Sequence, residues 1–355
     1  MRKFNYDMMM MHDLLMSTQE RLLFKKLPAY MNALKYADIE FIGDCLFAHG
    51  NIPVMLVAHC DIVHKKATAE APDLFVYDYE EKDGIVQTFL SANNRTLGAD
   101  DRAGVYIILK TIEALEKKGL KPYVLFTSDE EIGCVGASKF VKAMPSNEYD
   151  IKMVIELDRK GSNDIVFYDC DDDKEFVDFM VEKTGYKHAL GSYSDIVEIS
   201  DAWGVCSCNL SCGYYSEHTQ SEYLIVEEML GTLGMLVGML EKLDYNTLPA
   251  FIHTPVEKVY DSYWDSWDYP QETVEGYISC ADCGDLVPVD NYDYLDEDKY
   301  GIPLCEACRK YYDMLIEKDY YDDEELSSMK FVDEEPMSEE ELDKFVDSLY
   351  NGKGL

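Results

Sequence analysis

Several apolar runs in this sequence end in residues that bind cations. Residues 53–63, PVMLVAHCDIV, pass from aliphatic side chains into His59-Cys60-Asp61. Leu97-Gly98-Ala99 leads into Asp100-Asp101, and the run 123–127 ends in Ser128-Asp129-Glu130-Glu131. The run 151–157 ends in Asp158, and a turn after 205–210 carries Ser216-Glu217-His218. A single carboxylate at such a position is ordinarily a helix cap or a solvated loop residue. A whole set gathered on one sheet edge would repel itself unless cations neutralised it. Nitrogen and oxygen donors without thiolates suit zinc, with manganese or cobalt as alternatives.

The spacing of the apolar runs indicates what holds these groups. A continuous apolar segment such as 53–63 reads as a fully buried parallel strand. Residues 73–89 contain two strand-like runs around Lys82, Asp83 and Gly84, a hairpin pattern. Helical periodicity is predicted over 13–36, 101–118 (with Ala103, Ile107, Ile108 and Ile112 on one face), 133–144, 174–184 and 221–243. Strands are predicted at 122–127, 151–157, 165–168 and 205–210. This alternation predicts an α/β class protein with a mainly parallel mixed sheet and helices on both faces. In such sheets ligands sit at the carboxyl ends of strands, where the cation-binding residues fall.

The stretches VAHCDIV (57–63), LGADDRAG (97–104), TSDEEIGCVGA (127–137), ELD (156–158) and SEHTQSEYL (216–224) occur in that order. Together they resemble the co-catalytic zinc aminopeptidases, a clan that includes tripeptidase-T-like and bacterial leucyl aminopeptidase-like enzymes. The resemblance covers about residues 54–243. It implies a zinc-exopeptidase-like fold and two catalytic zinc ions. His59 would bind the first metal, with Asp61 orienting its imidazole. Asp100 would bridge the two metals and be followed by a cis bond to Asp101. Asp158 would complete the first metal, Glu131 and His218 the second, and Glu130 would be the general base. Two metals about 3.5 Å apart need a bridging carboxylate, and a free carboxylate beside them can move the water's proton. Three alternatives stay open at this point. Glu130 and Glu131 could exchange roles, Glu156 could replace Asp158, and Asp61 could be only a cap. Many relatives carry a lid domain between the third and last ligands. Here only about sixty residues separate Asp158 from His218, which predicts the compact form.

Four of the eleven cysteines form a separate pattern, Cys280-x-x-Cys283 and Cys305-x-x-Cys308. Four thiolates so spaced suit a tetrahedral structural zinc in a small C-terminal ribbon. A unit that small would depend on its metal for stability. The expected organisation is a catalytic domain over 1–245, a linker over 246–275, the ribbon over 276–318 and an acidic tail over 319–355. Ser338 and Glu341 in the tail read as a capping box.

Seventy acidic residues against thirty-two basic ones give a net charge of -38. Such a surface repels phosphate backbones and anionic lipid, so neither nucleic acid nor membrane is the expected partner. A peptide or small amide substrate is expected, with the ribbon or tail as a possible protein contact. The scattered cysteines and the absence of a readable secretory signal predict a cytoplasmic protein. The predicted activity is that of a zinc metallopeptidase, with aminopeptidase chemistry first. The alternatives are an amidohydrolase or deacylase acting on small N-acyl compounds, and an inactive binding module. Asp129 or Glu217 could anchor a substrate amino group, whereas Arg102 or Arg159 would suit a substrate carboxylate.

Overall fold

The computed structural model describes residues 7–63, 74–80, 86–92, 95–171, 173–191, 193–255, 277–279 and 286–288. The chain divides into two compact units, Met1–Glu257 and Lys258–Leu355. In the second unit the described residues form one antiparallel pair, Tyr277–Ser279 with Leu286–Pro288. Cys280, Cys283, Cys305 and Cys308 lie outside the described residues, as do His64, Trp264, Trp267, Ser338 and Glu341.

The first unit is built on an eight-stranded mixed sheet. Its strands are β1 (Ile39–Ile42), β2 (Cys45–Ala48), β3 (Ile52–His59), β6 (Pro122–Thr127), β7 (Met153–Arg159), β8 (Asp164–Val166), β9 (Lys187–His188) and β10 (Ser207–Ser211), in the order β1-β2-β6-β3-β7-β10-β8-β9. The central four, β6, β3, β7 and β10, are mutually parallel. β2 pairs antiparallel with β6, and β8 pairs antiparallel with β10.

Both faces of β3 are buried, which explains its unbroken apolar run. Met55 and Val57 join a core with Phe47, Leu125, Phe140, Ile196, Ile199 and Trp203. Val54, Leu56 and Ala58, which alternate with them, are equally buried on the other face. Phe140 belongs to α5 (Val135–Ala143), and Ile196, Ile199 and Trp203 to α7 (Asp195–Trp203). Helix α4 (Ala99–Glu116) packs on β3 and β7 and against α8 (Val226–Leu240). The sequence predicts one apolar face for α4. The structure buries it nearly all round, as expected of a helix held between a sheet and other helices.

The helix predicted over 13–36 is broken. It consists of α1 (Met8–Leu15), α2 (Gln19–Arg21), a π turn at Leu22–Lys26 and α3 (Leu27–Ala33). Thr18 caps α2 by accepting from Arg21 N at 3.2 Å. Pro28 at the start of α3 cannot donate to the preceding turn, which suits the wider π geometry there. The helix predicted over 221–243 starts later, at Val226. Before it, β12 (Tyr223–Ile225) pairs with β5 (Val86–Ala92) in a second sheet. That sheet has the order β11-β12-β5-β4, with β4 at Leu74–Glu80 and β11 at Tyr214–Tyr215. β4 and β5 are the predicted hairpin. Helix α6 (Lys174–Thr184) fills the interval predicted for it, capped by Asp173 at its start and closed by Gly185. No helix among the described residues is long and apolar enough to cross a membrane.

Candidate metal centre

The carboxyl ends of β3, β6 and β7 lie side by side in the parallel part of the sheet, and each delivers a side chain to one buried cluster. His59 closes β3, Glu130 and Glu131 follow β6, and Asp158 sits near the end of β7. Asp100 comes from the entry of α4, where the Asp100–Asp101 peptide is cis. His218 arrives from the loop between β11 and β12.

Two groups share Asp100. Its Oδ1 is 3.0 Å from His59 Nε2, which is also 3.5 Å from Asp158 Oδ1. Its Oδ2 is 3.2 Å from His218 Nε2, which lies 3.0 Å from Glu131 Oε2. The donor atoms of His59, Asp100 and Asp158 all lie within 4.8 Å of one another, and so do those of Asp100, Glu131 and His218. Glu130 falls with His59 and Glu131 in a third grouping of the same kind. The residues expected from sequence as metal ligands are thus brought together. Glu156 falls in none of these groupings and accepts from Ser194 Oγ at 2.6 Å.

The electrostatics fit a pair of cations. Burial pushes the carboxyls of Glu130 and Asp158 above the usual range, and burial together with the Asp100 carboxylate pushes Glu131 up to about 7. Burial alone would lower His59 and His218, yet the surrounding carboxylates hold both imidazoles well above their ordinary value, His218 at about 12. Cations at this place would relieve the repulsion among the gathered carboxylates. Glu131 Oε1 is buried with no hydrogen-bond partner. Two divalent ions would balance the four carboxylates of Asp100, Glu130, Glu131 and Asp158.

A supporting layer fixes these groups. Asp61 Oδ1 lies 3.3 Å from His59 Nδ1 and also accepts from Glu130 N at 3.1 Å. Its Oδ2 accepts from Glu131 N at 3.0 Å. Asp61 therefore does more than orient His59, because it clamps the backbone of the Glu130-Glu131 pair. Asp101 is fully buried and accepts from His59 N at 3.2 Å and Gly104 N at 3.0 Å. Asn209 brackets the Asp158 backbone, accepting from its N at 2.9 Å and donating to its O at 2.8 Å.

Two supporting residues escaped the sequence reading. Glu222 is buried and accepts from Gly98 N at 2.8 Å and Asp100 N at 2.9 Å, so it sets the backbone of the shared carboxylate. It lies within SEHTQSEYL, but nothing in its type separates it from the surrounding polar residues. Tyr214 donates to Asp158 Oδ1 at 2.9 Å, and a tyrosine at a turn carries no signal of its own.

Other expectations change. Arg102 is buried and donates to the carbonyls of Cys60 and Ser17, so it is a structural cation and not a substrate anchor. Asp129 accepts from Gln19 Nε2 at 3.1 Å, and Glu217 pairs with Lys160. Gly136 serves close packing, because a Cβ there would sit 2.2 Å from Ser128 O. Gly133 does not: nothing lies near its missing Cβ, and its φ of +98° marks a turn requirement. His188 pairs with Asp171 at 2.8 Å away from the cluster.

Residues 48–196 match the sequence model of Peptidase family M28. The matched stretch contains His59, Asp61, Asp100, Glu130, Glu131 and Asp158. Among curated proteins no sequence matches the chain. Solved structures similar to it include a tripeptidase from Staphylococcus aureus (12% identity, TM-score 0.49, covering 65% of this chain and 96% of that one). Others are the aminopeptidase PepT from Bacillus cereus (15%, 0.48, 65% and 96%) and a TET aminopeptidase from a marine sediment archaeon of the Thaumarchaeota (13%, 0.48, 68% and 98%).

Proposed function

We propose that this hydrolase, a metallopeptidase of the M28 type, uses two zinc ions to cleave the amino-terminal peptide bond of its substrates. The observation that carries the reading is the division of Asp100, one oxygen toward each imidazole. His59, Asp100 and Asp158 would hold one ion, and Asp100, Glu131 and His218 the other. When bound, the pair supplies Lewis acidity and an acidified water.

The chain's own groups do the rest. Glu130 is half-buried beside the ligands, grouped with His59 and Glu131 but belonging to neither ligand set, a place that suits a general base. It would take a proton from the attacking water and return it to the departing amine nitrogen. Asp61 keeps Glu130 in place through the backbone, so that base and ligand face the same point. Tyr214 fixes one oxygen of Asp158 and leaves the other near Ser194.

The test uses the full chain loaded with zinc, a panel of aminoacyl-nitroanilides and matching N-acyl amino acids. Cleavage of the free-amino substrates, with kcat lowered about 10²- to 10⁴-fold in Glu130→Gln and metal content unchanged, is the expected result. Exclusive hydrolysis of the N-acyl set would replace the reading with a deacylase. Turnover by Glu130→Gln equal to the parent would remove Glu130 from the mechanism.

A further inference from the structure

A second reactive cluster lies at the opposite end of the sheet from the metal ligands. Cys206 stands just before β10, whose far end neighbours β7 beside Asp158. Cys170 ends the 3-10 turn Tyr168–Cys170, and both sulfurs are buried. Cys170 Sγ is 3.6 Å from His253 Nδ1 and accepts from Ser207 N at 3.4 Å. His253 Nε2 lies 3.0 Å from Asp201 Oδ1. The Cys206 thiol donates to Asp173 Oδ2 at 3.1 Å, and the N–H of the residue after it, Ser207, is the one that faces Cys170. His253 is itself buried, but the preceding residue, Ile252, is 68% exposed.

This arrangement has a sulfur, an imidazole on it, a carboxylate behind the imidazole, a backbone N–H facing the sulfur and a second thiol on the residue before that N–H. It does not fit a metal site, because its donor atoms form no grouping as tight as those around Asp100. A structural cysteine needs none of these partners, since a buried thiol ordinarily behaves as a small apolar side chain.

We propose that Cys170 and Cys206 form a dithiol that reacts with small hydroperoxides, with Cys170 the attacking sulfur and His253 its base. His253 Nδ1 takes the Cys170 proton, and Asp201 steadies the imidazolium. The thiolate then attacks one oxygen of hydrogen peroxide. The O–O bond breaks, the sulfur becomes a sulfenic acid, and the departing hydroxide leaves as water with the imidazolium proton. The Cys206 sulfur next attacks the Cys170 sulfur. An S–S bond forms, the S–O bond breaks, and the hydroxide takes the Cys206 proton as a second water. Two thiols and one peroxide give one disulfide and two waters, the two electrons passing from sulfur to oxygen. The nearby Cys206 thiol, His253 and the Ser207 N–H pull the Cys170 thiol down to about 5, while the Cys170 sulfur, burial and the Asp173 carboxylate hold Cys206 up. The imidazole on Cys170 and the carboxylate on Cys206 assign attacker and resolver. Burial of both sulfurs selects a small oxidant over a bulky disulfide.

The experiment treats the full zinc-loaded chain with hydrogen peroxide or with glutathione disulfide, then maps cysteine peptides by mass spectrometry. Expected is a Cys170–Cys206 cross-linked peptide with loss of two hydrogens, formed with peroxide and not with glutathione disulfide. Cys206→Ser should instead gain one oxygen on Cys170, and His253→Gln should slow the reaction by about tenfold or more. Absence of the cross-link in the unmodified chain would overturn the proposal without any variant. Oxidation of Cys170 in Cys206→Ser no faster than that of buried Cys208 would overturn it as well.

Discussion

Replacing Asp61 with asparagine would change one oxygen to an amide nitrogen and leave the side-chain volume nearly untouched. Oδ1 serves Glu130 N and faces His59 Nδ1, whereas Oδ2 serves only Glu131 N. The least damaging placement therefore puts the new NH2 against Glu131 N, donor to donor. One hydrogen bond to a charged acceptor is lost, about 1.5–3 kcal/mol. At 1.4 kcal/mol per tenfold in binding, that is roughly a ten- to hundredfold loss. The range matches what groups standing behind metal ligands ordinarily contribute. Because Asp61 touches His59 on one side and Glu131 on the other, both zinc affinities should fall. The assay is competition for zinc between the apo chain and a chromophoric chelator, with kcat measured at saturating zinc. Affinities within about twofold of the parent, with kcat unchanged, would refute the bracing role of Asp61.

Three further outcomes are expected. Glu222→Ala removes the acceptor for Gly98 N and Asp100 N, so both ions should bind about tenfold or more weakly in the same chelator competition. Gly104→Ala places a Cβ 1.8 Å from Leu157 O and against the Asp101 carboxylate, and urea unfolding should register a loss of about 3 kcal/mol or more. The Cys170 thiol drops from 9.0 to about 5 on folding, while His253, bonded to Cys170 and Asp201, rises from 6.5 to about 9. Between about pH 5 and 6.5 the unfolded chain carries a proton on Cys170 that the folded chain lacks, so stability should rise with pH. From 6.5 to 9 the extra proton on folded His253 offsets it, giving a plateau. The difference in urea midpoint between parent and Cys170→Ala should follow that curve, and a flat difference from pH 5 to 6.5 would contradict it.

The candidate metal cluster is legible in sequence because its members are polar residues forced to the ends of apolar runs. His59, the Glu130-Glu131 pair and Asp158 terminate β3, β6 and β7, and a hydrophobic strand that stops in an imidazole or carboxylate is visible without coordinates. Helix α7 is less visible: Asp195–Trp203 is short and follows a polar segment, so its buried Ile196 and Ile199 do not form a long enough period. β12 was hidden for another reason. Tyr223–Ile225 runs directly into α8, and its strand identity depends on pairing with β5, more than a hundred residues earlier. Cys170, His253 and Asp201 come from three separate segments, and no local spacing links them. Supporting groups such as Glu222 act through backbone amides, a relation that sequence does not encode.

His218 and Glu222 sit on one short segment that the small sheet carries to the cluster, while His59, Asp100, Glu131 and Asp158 come earlier along the chain. A ribosome must therefore make most of the first unit before the proposed second ion could be held or the backbone of Asp100 secured. Any product that stops short of Ser216 contains most of the ligands and the proposed base, yet lacks one of the two halves. On the proposed reading, hydrolytic competence would belong only to a chain that extends past His218 and Glu222.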